Sequence, residues 1–182
     1  MPKMLEKDNC ILLVIDVQER LVSALDKDVV VSRTATLTKA AQILQIPTIV
    51  TEQYPKGLGN TVETVKQTLS ADTVIFEKTA FSALKEPKFE ELLKSFNKKQ
   101  IVVCGIETHV CVHQSVTDLI NLGFEVFVVK DACASRKKYE FKQGIEIMQQ
   151  NGAKISCLEI VLFEWLKTSK HPCFKEIQTL IK

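Results

Sequence analysis

The segment Val102-Val103-Cys104-Gly105-Ile106-Glu107-Thr108-His109-Val110-Cys111-Val112 carries the sharpest chemical signal in the chain. An apolar run meets a glycine, crosses a short polar turn and reaches a cysteine where an amphipathic helix begins. Unpaired N–H groups and the dipole at a helix N-terminus favour a thiolate over a thiol. The same N–H groups can hold an oxyanion while sulfur attacks an acyl carbon. Cys111 is therefore the candidate nucleophile, with a thiol pKa expected below its ordinary value.

Two further residues can serve that nucleophile. Asp16 directly follows Ile11-Leu12-Leu13-Val14-Ile15, a place where a carboxylate needs a partner or a purpose. A helix N-cap or a loop brace is its plain alternative. Lys78 comes just after Val74-Ile75-Phe76 and precedes the apolar Phe81. A cation held there would favour the thiolate and pair with Asp16, although taken alone Lys78 reads more readily as a surface lysine. Asp131 follows another apolar run and reads as an acceptor for backbone N–H groups in the loop after it.

His109 and His113 flank Cys111 four residues apart, which raises a Cys-His dyad or a metal site. His109 precedes the helix and no third ligand stands at a recognisable spacing, so no metal is assigned and zinc has little support. The sequence has neither GxGxxG nor GxxxxGK[ST], and no cofactor is expected. Tyr54-Pro55-Lys56-Gly57-Leu58-Gly59 is a turn-rich loop that either covers a crevice, with Tyr54 as an aromatic wall, or lies plainly on the surface.

These residues need a scaffold that brings them together. Short β-branched runs at Cys10 to Val17, Pro47 to Thr51, Thr73 to Phe76, Gln100 to Gly105, Glu125 to Lys130 and Lys154 to Cys157 read as strands. Amphipathic stretches at helical spacing lie between them at Val29 to Leu44, Thr61 to Leu69, Phe89 to Phe96, Val112 to Leu122 and Tyr139 to Gln150. Regular alternation of this kind predicts an α/β fold, a parallel sheet with helices on both faces. In such a sheet the crevice lies beyond the carboxyl ends of the strands, where Asp16, Lys78 and Cys111 all fall. One domain spanning residues 1–182 is expected, since no repeat, low-complexity segment or composition shift divides the chain. The tail from Leu158 carries Phe163, Trp165 and Phe174, which either cover the sheet edge or meet a partner subunit.

Composition narrows the classes of function. The 182 residues have a formal charge of +2 from near-balanced acids and bases, with lysines scattered along the chain, so nucleic-acid binding has no support. No apolar run approaches the roughly 20 residues of a membrane span. The acidic residues in Met1 to Asp8 count against a transit peptide, which makes a cytoplasmic location the expectation and leaves a mitochondrial association open. Six cysteines with no CxxC spacing, several inside apolar runs, fit a reducing compartment and free thiols.

Three motifs, in order, resemble those of the isochorismatase-like cysteine hydrolase superfamily, in particular its isochorismatase domain-containing branch. They are Leu13-Val14-Ile15-Asp16-Val17-Gln18, Lys78-Thr79-Ala80-Phe81-Ser82 and Gly105-Ile106-Glu107-Thr108-His109-Val110-Cys111-Val112. The resemblance implies a three-layer sandwich with a six-stranded parallel sheet of order 3-2-1-4-5-6. It also implies a catalytic triad of Asp16, Lys78 and Cys111 and a non-proline cis peptide from Ile106 to Glu107.

The expected oxyanion donors are the backbone N–H groups of Glu107 and Cys111. Gln18, Gln53, Tyr54, Phe81, Thr108 and His109 are the expected substrate pocket. Nicotinamidases of this superfamily carry an aspartate and histidines for a metal after the second strand, where this chain has Thr51-Glu52-Gln53-Tyr54-Pro55. Siderophore-pathway isochorismatases commonly lack the cysteine found here at 111. The expected activity is hydrolysis of a small amide or related C–N bond through a thioester, in a homo-oligomer that is a dimer or larger. The competing classes are a scaffold protein without turnover and a redox-active thiol protein.

Overall fold

A computed structural model describes residues 4–25 and 28–182. The strands are β1 (Cys10–Ile15), β2 (Thr48–Gln53), β3 (Val74–Lys78), β4 (Gln100–Ile106), β5 (Glu125–Ala134) and β6 (Lys154–Ser156). They form one sheet of order β3-β2-β1-β4-β5-β6 in which every pairing is parallel. The expected topology is therefore observed, with the order reversing at β1 and β4.

Alternation of side chains along each strand divides the apolar residues between two faces. Cys10, Leu12 and Val14 join one core cluster with α2 (Asp28–Leu44) and α8 (Leu158–Leu166). Ile11, Leu13 and Ile15 join the other with α5 (Phe89–Ser95), α6 (His113–Asn121) and α7 (Lys138–Gln150). Both faces of β1 are thus covered and all six of its residues are buried. Short helices α1 (Glu19–Ser23), α3 (Pro55–Leu58) and α4 (Glu63–Lys66) follow β1 and β2, and α9 (Phe174–Thr179) ends the tail. Among the described residues, no helix is long and apolar enough to cross a membrane.

Several boundaries differ from those read in the sequence, each for a local reason. β1 stops at Ile15 because Asp16 takes a left-handed φ of 52°, which aspartate tolerates better than most residues. The helix expected over Thr61 to Leu69 shrinks to Glu63–Lys66, since Thr61 bridges to Gln18 and gives its N–H and hydroxyl to Glu52 Oε1. β5 runs past Asp131 to Ala134, because a register shift between Val103 and Gly105 brings Cys133 opposite Gly105 and Ala134 opposite Ile106. Asp131 accordingly accepts a backbone N–H from Leu158 at the start of α8, 2.8 Å away, and not from the loop after β5. Trp165 is buried within the chain's own core, while Phe163 stays exposed with its ring 6.5 Å from that of Phe174.

Candidate active site

Strand ends bring Asp16, Lys78 and Cys111 into one buried cluster. Asp16 leaves β1 and accepts at Oδ1 from the Thr51 hydroxyl of β2, 2.6 Å away. Its backbone N–H donates to Thr51 O, fixing the turn. Lys78 is the last residue of β3, and its Nζ lies 2.7 Å from Asp16 Oδ2 with both side chains fully buried. Nζ also lies 2.6 Å from Gln53 Oε1, 3.2 Å from Ala80 O and 3.1 Å from Phe81 O. The ammonium is therefore solvated by protein oxygens, which a charge removed from water requires.

Cys111 lies in a π-helical turn, Thr108–Val112, that leads into α6. The Ile106–Glu107 peptide before the turn is cis. The Glu107 carbonyl accepts from the N–H groups of Val110 and Val112, and its carboxylate takes Nε and the backbone N–H of Arg136. Gly105 lets β4 approach the end of β1. A Cβ at that position would stand 2.0 Å from Ile15 O, the carbonyl that leads into Asp16.

Electrostatics differ from the sequence expectation at the thiol. Burial first and the Asp16 carboxylate second push the Cys111 thiol up to about 12, against the opposing pull of the Lys78 cation. A helix N-terminus alone would lower the thiol pKa. Here the thiol is only 6% exposed and faces an anion as well as a cation, so the direction reverses. Burial likewise raises the Asp16 carboxyl above the ordinary carboxylate range, against the pull of Lys78 and of hydrogen bonds from Lys78, Thr51 and Cys111. The resting cluster is thus a protonated thiol beside a carboxyl of raised proton affinity.

The other expected pocket residues separate into two groups. Gln18 is fully buried as a brace, giving Nε2 to the carbonyls of Gln53 and Gly59 and taking the Gln53 N–H at Oε1. Gln53 bridges Lys78 and Thr79 O with its two amide ends. His109 has Nδ1 3.0 Å from Ser135 Oγ and Nε2 3.6 Å from Glu140. Thr108 is fully buried, and its hydroxyl has no partner among the described residues.

Tyr54 and Phe81 are both exposed. A cavity of about 310 Å³ runs from Tyr54 and Lys56 to Glu77, Thr79 and Glu86. His113, on the first turn of α6, has its imidazole pKa lowered by burial. Among the described residues, no group of three or more His, Cys, Asp or Glu is arranged to hold a metal ion.

Two supporting residues had no role assigned from the sequence. Thr51 follows an apolar run and was visible as a polar strand-end residue. Glu86 lies in a polar stretch eight positions beyond Lys78 and offered no signal.

A three-layer parallel α/β sandwich with a carboxylate after β1, an ammonium at the end of β3 and a thiol in the turn after β4 defines an isochorismatase-like cysteine hydrolase fold. The isochorismatase domain model matches residues 10–160, and the chain belongs to that family. It is 43% identical over 154 residues to isochorismatase domain-containing protein 2 of Xenopus laevis, spanning 84% of this chain and 73% of that one. A solved structure from Caenorhabditis elegans, described as MAR1 ribonuclease, is 41% identical with a TM-score of 0.93, covering 98% of this chain and 92% of the other. The YcaC gene product of Escherichia coli, described as an octameric hydrolase of unknown specificity, is 26% identical with a TM-score of 0.92. That match covers 100% of this chain and 91% of the bacterial one.

Proposed function

We propose that residues 1–182 act as one domain that hydrolyses a small amide or related C–N bond through a thioester on Cys111. The observation that carries this reading is the fully buried Lys78–Asp16 pair packed against the Cys111 thiol. Asp16 takes the Sγ proton as sulfur attacks the carbonyl carbon, so a free thiolate never has to accumulate. The raised proton affinity of Asp16 suits that transfer. Backbone N–H groups of Glu107 and Cys111 receive the oxyanion, and Glu107 is held for this by its own carbonyl and carboxylate bonds. Asp16 then returns the proton to the leaving nitrogen as the C–N bond breaks. Water attacks the thioester, Asp16 accepts its proton, and the acid departs as the thiol re-forms.

A protonated, largely buried thiol counts against a redox-sensing role, because sensors need an exposed thiolate. Burial of the Cys111 thiol also favours a small substrate over a polymer. Assembly into a dimer or larger is part of the same reading, supported by the exposed Phe163 and by the octameric description of the bacterial relative. The test screens small amides, carbamoyl compounds and esters, with an RNA homopolymer as a separate arm because of the nematode relative's description. Rapid quenching and intact-protein mass spectrometry then look for an acyl adduct. An adduct mapping to Cys111, absent in Cys111→Ala, is expected. RNA cleavage without an adduct, or full turnover in Cys111→Ala, would overturn the mechanism.

A further inference from the structure

A continuous set of hydrogen bonds links the helix after the nucleophile to the cation beside it. On α6, Ser115 Oγ accepts the Ala83 N–H at 3.2 Å and Asp118 accepts the Ser82 hydroxyl at 2.7 Å. These bonds anchor the turn Ala83–Lys85, which Glu86 follows. Glu86 Oε1 accepts the N–H groups of Thr79 and Ala80 at 2.6 and 2.7 Å, and the Thr79 hydroxyl at 3.1 Å. The next two carbonyls along the chain, Ala80 O and Phe81 O, are the ones that face Lys78 Nζ.

We propose that Glu86 is a positioning residue for Lys78. By holding the Thr79–Ala80 backbone, it aims the Ala80 and Phe81 carbonyls at the ammonium and keeps Nζ between Asp16 and Cys111. This rests on the reading of Asp16, Lys78 and Cys111 as one catalytic unit. An ammonium has three N–H bonds, and four oxygens surround this one: Asp16 Oδ2, Gln53 Oε1, Ala80 O and Phe81 O. Lys78 therefore has no N–H directed solely at a substrate and acts as a fixed charge. Its effect on Cys111 depends on where the Thr79–Phe81 turn places it. Glu86 touches neither substrate nor thiol and acts only through that turn.

The test needs no substrate. The rate of Cys111 alkylation by iodoacetamide is followed against pH by intact mass and peptide mapping, using the full chain and its Lys78→Met, Glu86→Ala and Glu86→Gln variants. Lys78→Met is expected to slow alkylation by about tenfold near neutral pH, a displacement of about one pH unit in the profile. Glu86→Ala should move the profile in the same direction by a smaller amount, with circular dichroism unchanged. Glu86→Gln, which keeps an acceptor oxygen for the two N–H groups, should restore most of the rate.

A folded Glu86→Ala with the parent profile overturns the proposal while leaving Lys78 in its role. Glu86→Gln as slow as Glu86→Ala overturns it too, because charge and not hydrogen bonding would then be the cause. No effect of Lys78→Met removes the catalytic unit and the proposal with it. Should Glu86→Ala fail to fold, Glu86→Asp decides. Its shorter side chain is expected to give an intermediate profile, and a parent profile overturns the proposal.

Discussion

Lys78 Nζ lies 2.7 Å from Asp16 Oδ2 in a fully buried ion pair, and the two partners are unequally supported. The ammonium has three further oxygens around it, whereas the carboxylate's other side-chain partners are the Thr51 hydroxyl and the Cys111 thiol. Breaking a buried pair by removing one partner costs about 3–5 kcal/mol. Lys78→Met should therefore destabilise the fold by about 3 kcal/mol at neutral pH. The loss should shrink as pH falls, because Asp16 then takes up a proton. Asp16→Asn combined with Lys78→Met should be more stable than Lys78→Met alone. Urea titration of both single variants and the double variant measures this coupling, and simple additivity would argue against it.

The acidic limb of activity should report Asp16. Burial raises this carboxyl above its ordinary 3.8 despite the opposing pull of Lys78. Below its folded pKa Asp16 carries a proton and cannot accept one from Cys111, so kcat/KM should fall as pH drops through that value. The midpoint is expected above 3.8, and Lys78→Met should move it higher still by removing the cation that lowers it. A midpoint at the ordinary carboxylate value that ignores Lys78→Met would exclude Asp16 as the base.

Buried thiols should make the fold sensitive to alkali. Burial raises Cys10 and Cys104 from 9.0 to about 12, as it does Cys111. Above pH 9 these thiols ionise in the unfolded chain before they ionise in the folded one. The unfolded state then binds fewer protons, and stability falls as pH rises from about 9 towards 12. Each thiol should contribute a slope of about 1.4 kcal/mol per pH unit. Cys104→Ala should lower overall stability by leaving a small cavity, yet flatten the alkaline slope by about one thiol's share. Urea unfolding at a series of alkaline pH values separates the two effects.

Asp16, Lys78 and Cys111 were legible in the sequence because parallel strands converge at their carboxyl ends, so residues far apart in the chain share one crevice. The strand order and the cis peptide came from the resemblance of three motifs. The state of the thiol was not legible, since it depends on burial and on an anion delivered by another strand. Gln18 and Gln53 were ambiguous for a different reason. An uncharged amide after a strand looks the same whether it meets a ligand or its neighbours. In the structure Gln18 bonds the backbone of Gln53 and Gly59, and Gln53 joins Lys78 Nζ to Thr79 O. Trp165 was partly legible, because α8 spaces it three and four residues from Leu162 and Val161, and all three lie in one core cluster.

Gly144 should tune the nucleophile turn from a distance. It lies inside α7, where glycine costs about 1 kcal/mol of helix stability relative to alanine. A Cβ there would stand 3.0 Å from His109 Cα, 3.1 Å from His109 N and 3.1 Å from Thr108 O. These are backbone atoms of the turn that carries Cys111, so they can yield only if the turn moves. Gly144→Ala should therefore leave thermal stability within about 1 kcal/mol of the parent, as helix propensity offsets crowding. It should also lower kcat by roughly tenfold, because displacement of reacting groups by a fraction of an ångström is costly to catalysis. Gly152 is the control, since a Cβ there meets nothing within 4 Å, although its φ of 103° makes alanine strained in its own right. Gly152→Ala should reduce stability and spare kcat. Measuring melting and turnover together on both variants distinguishes these outcomes, and unchanged kcat in Gly144→Ala would show that the turn tolerates pressure from α7.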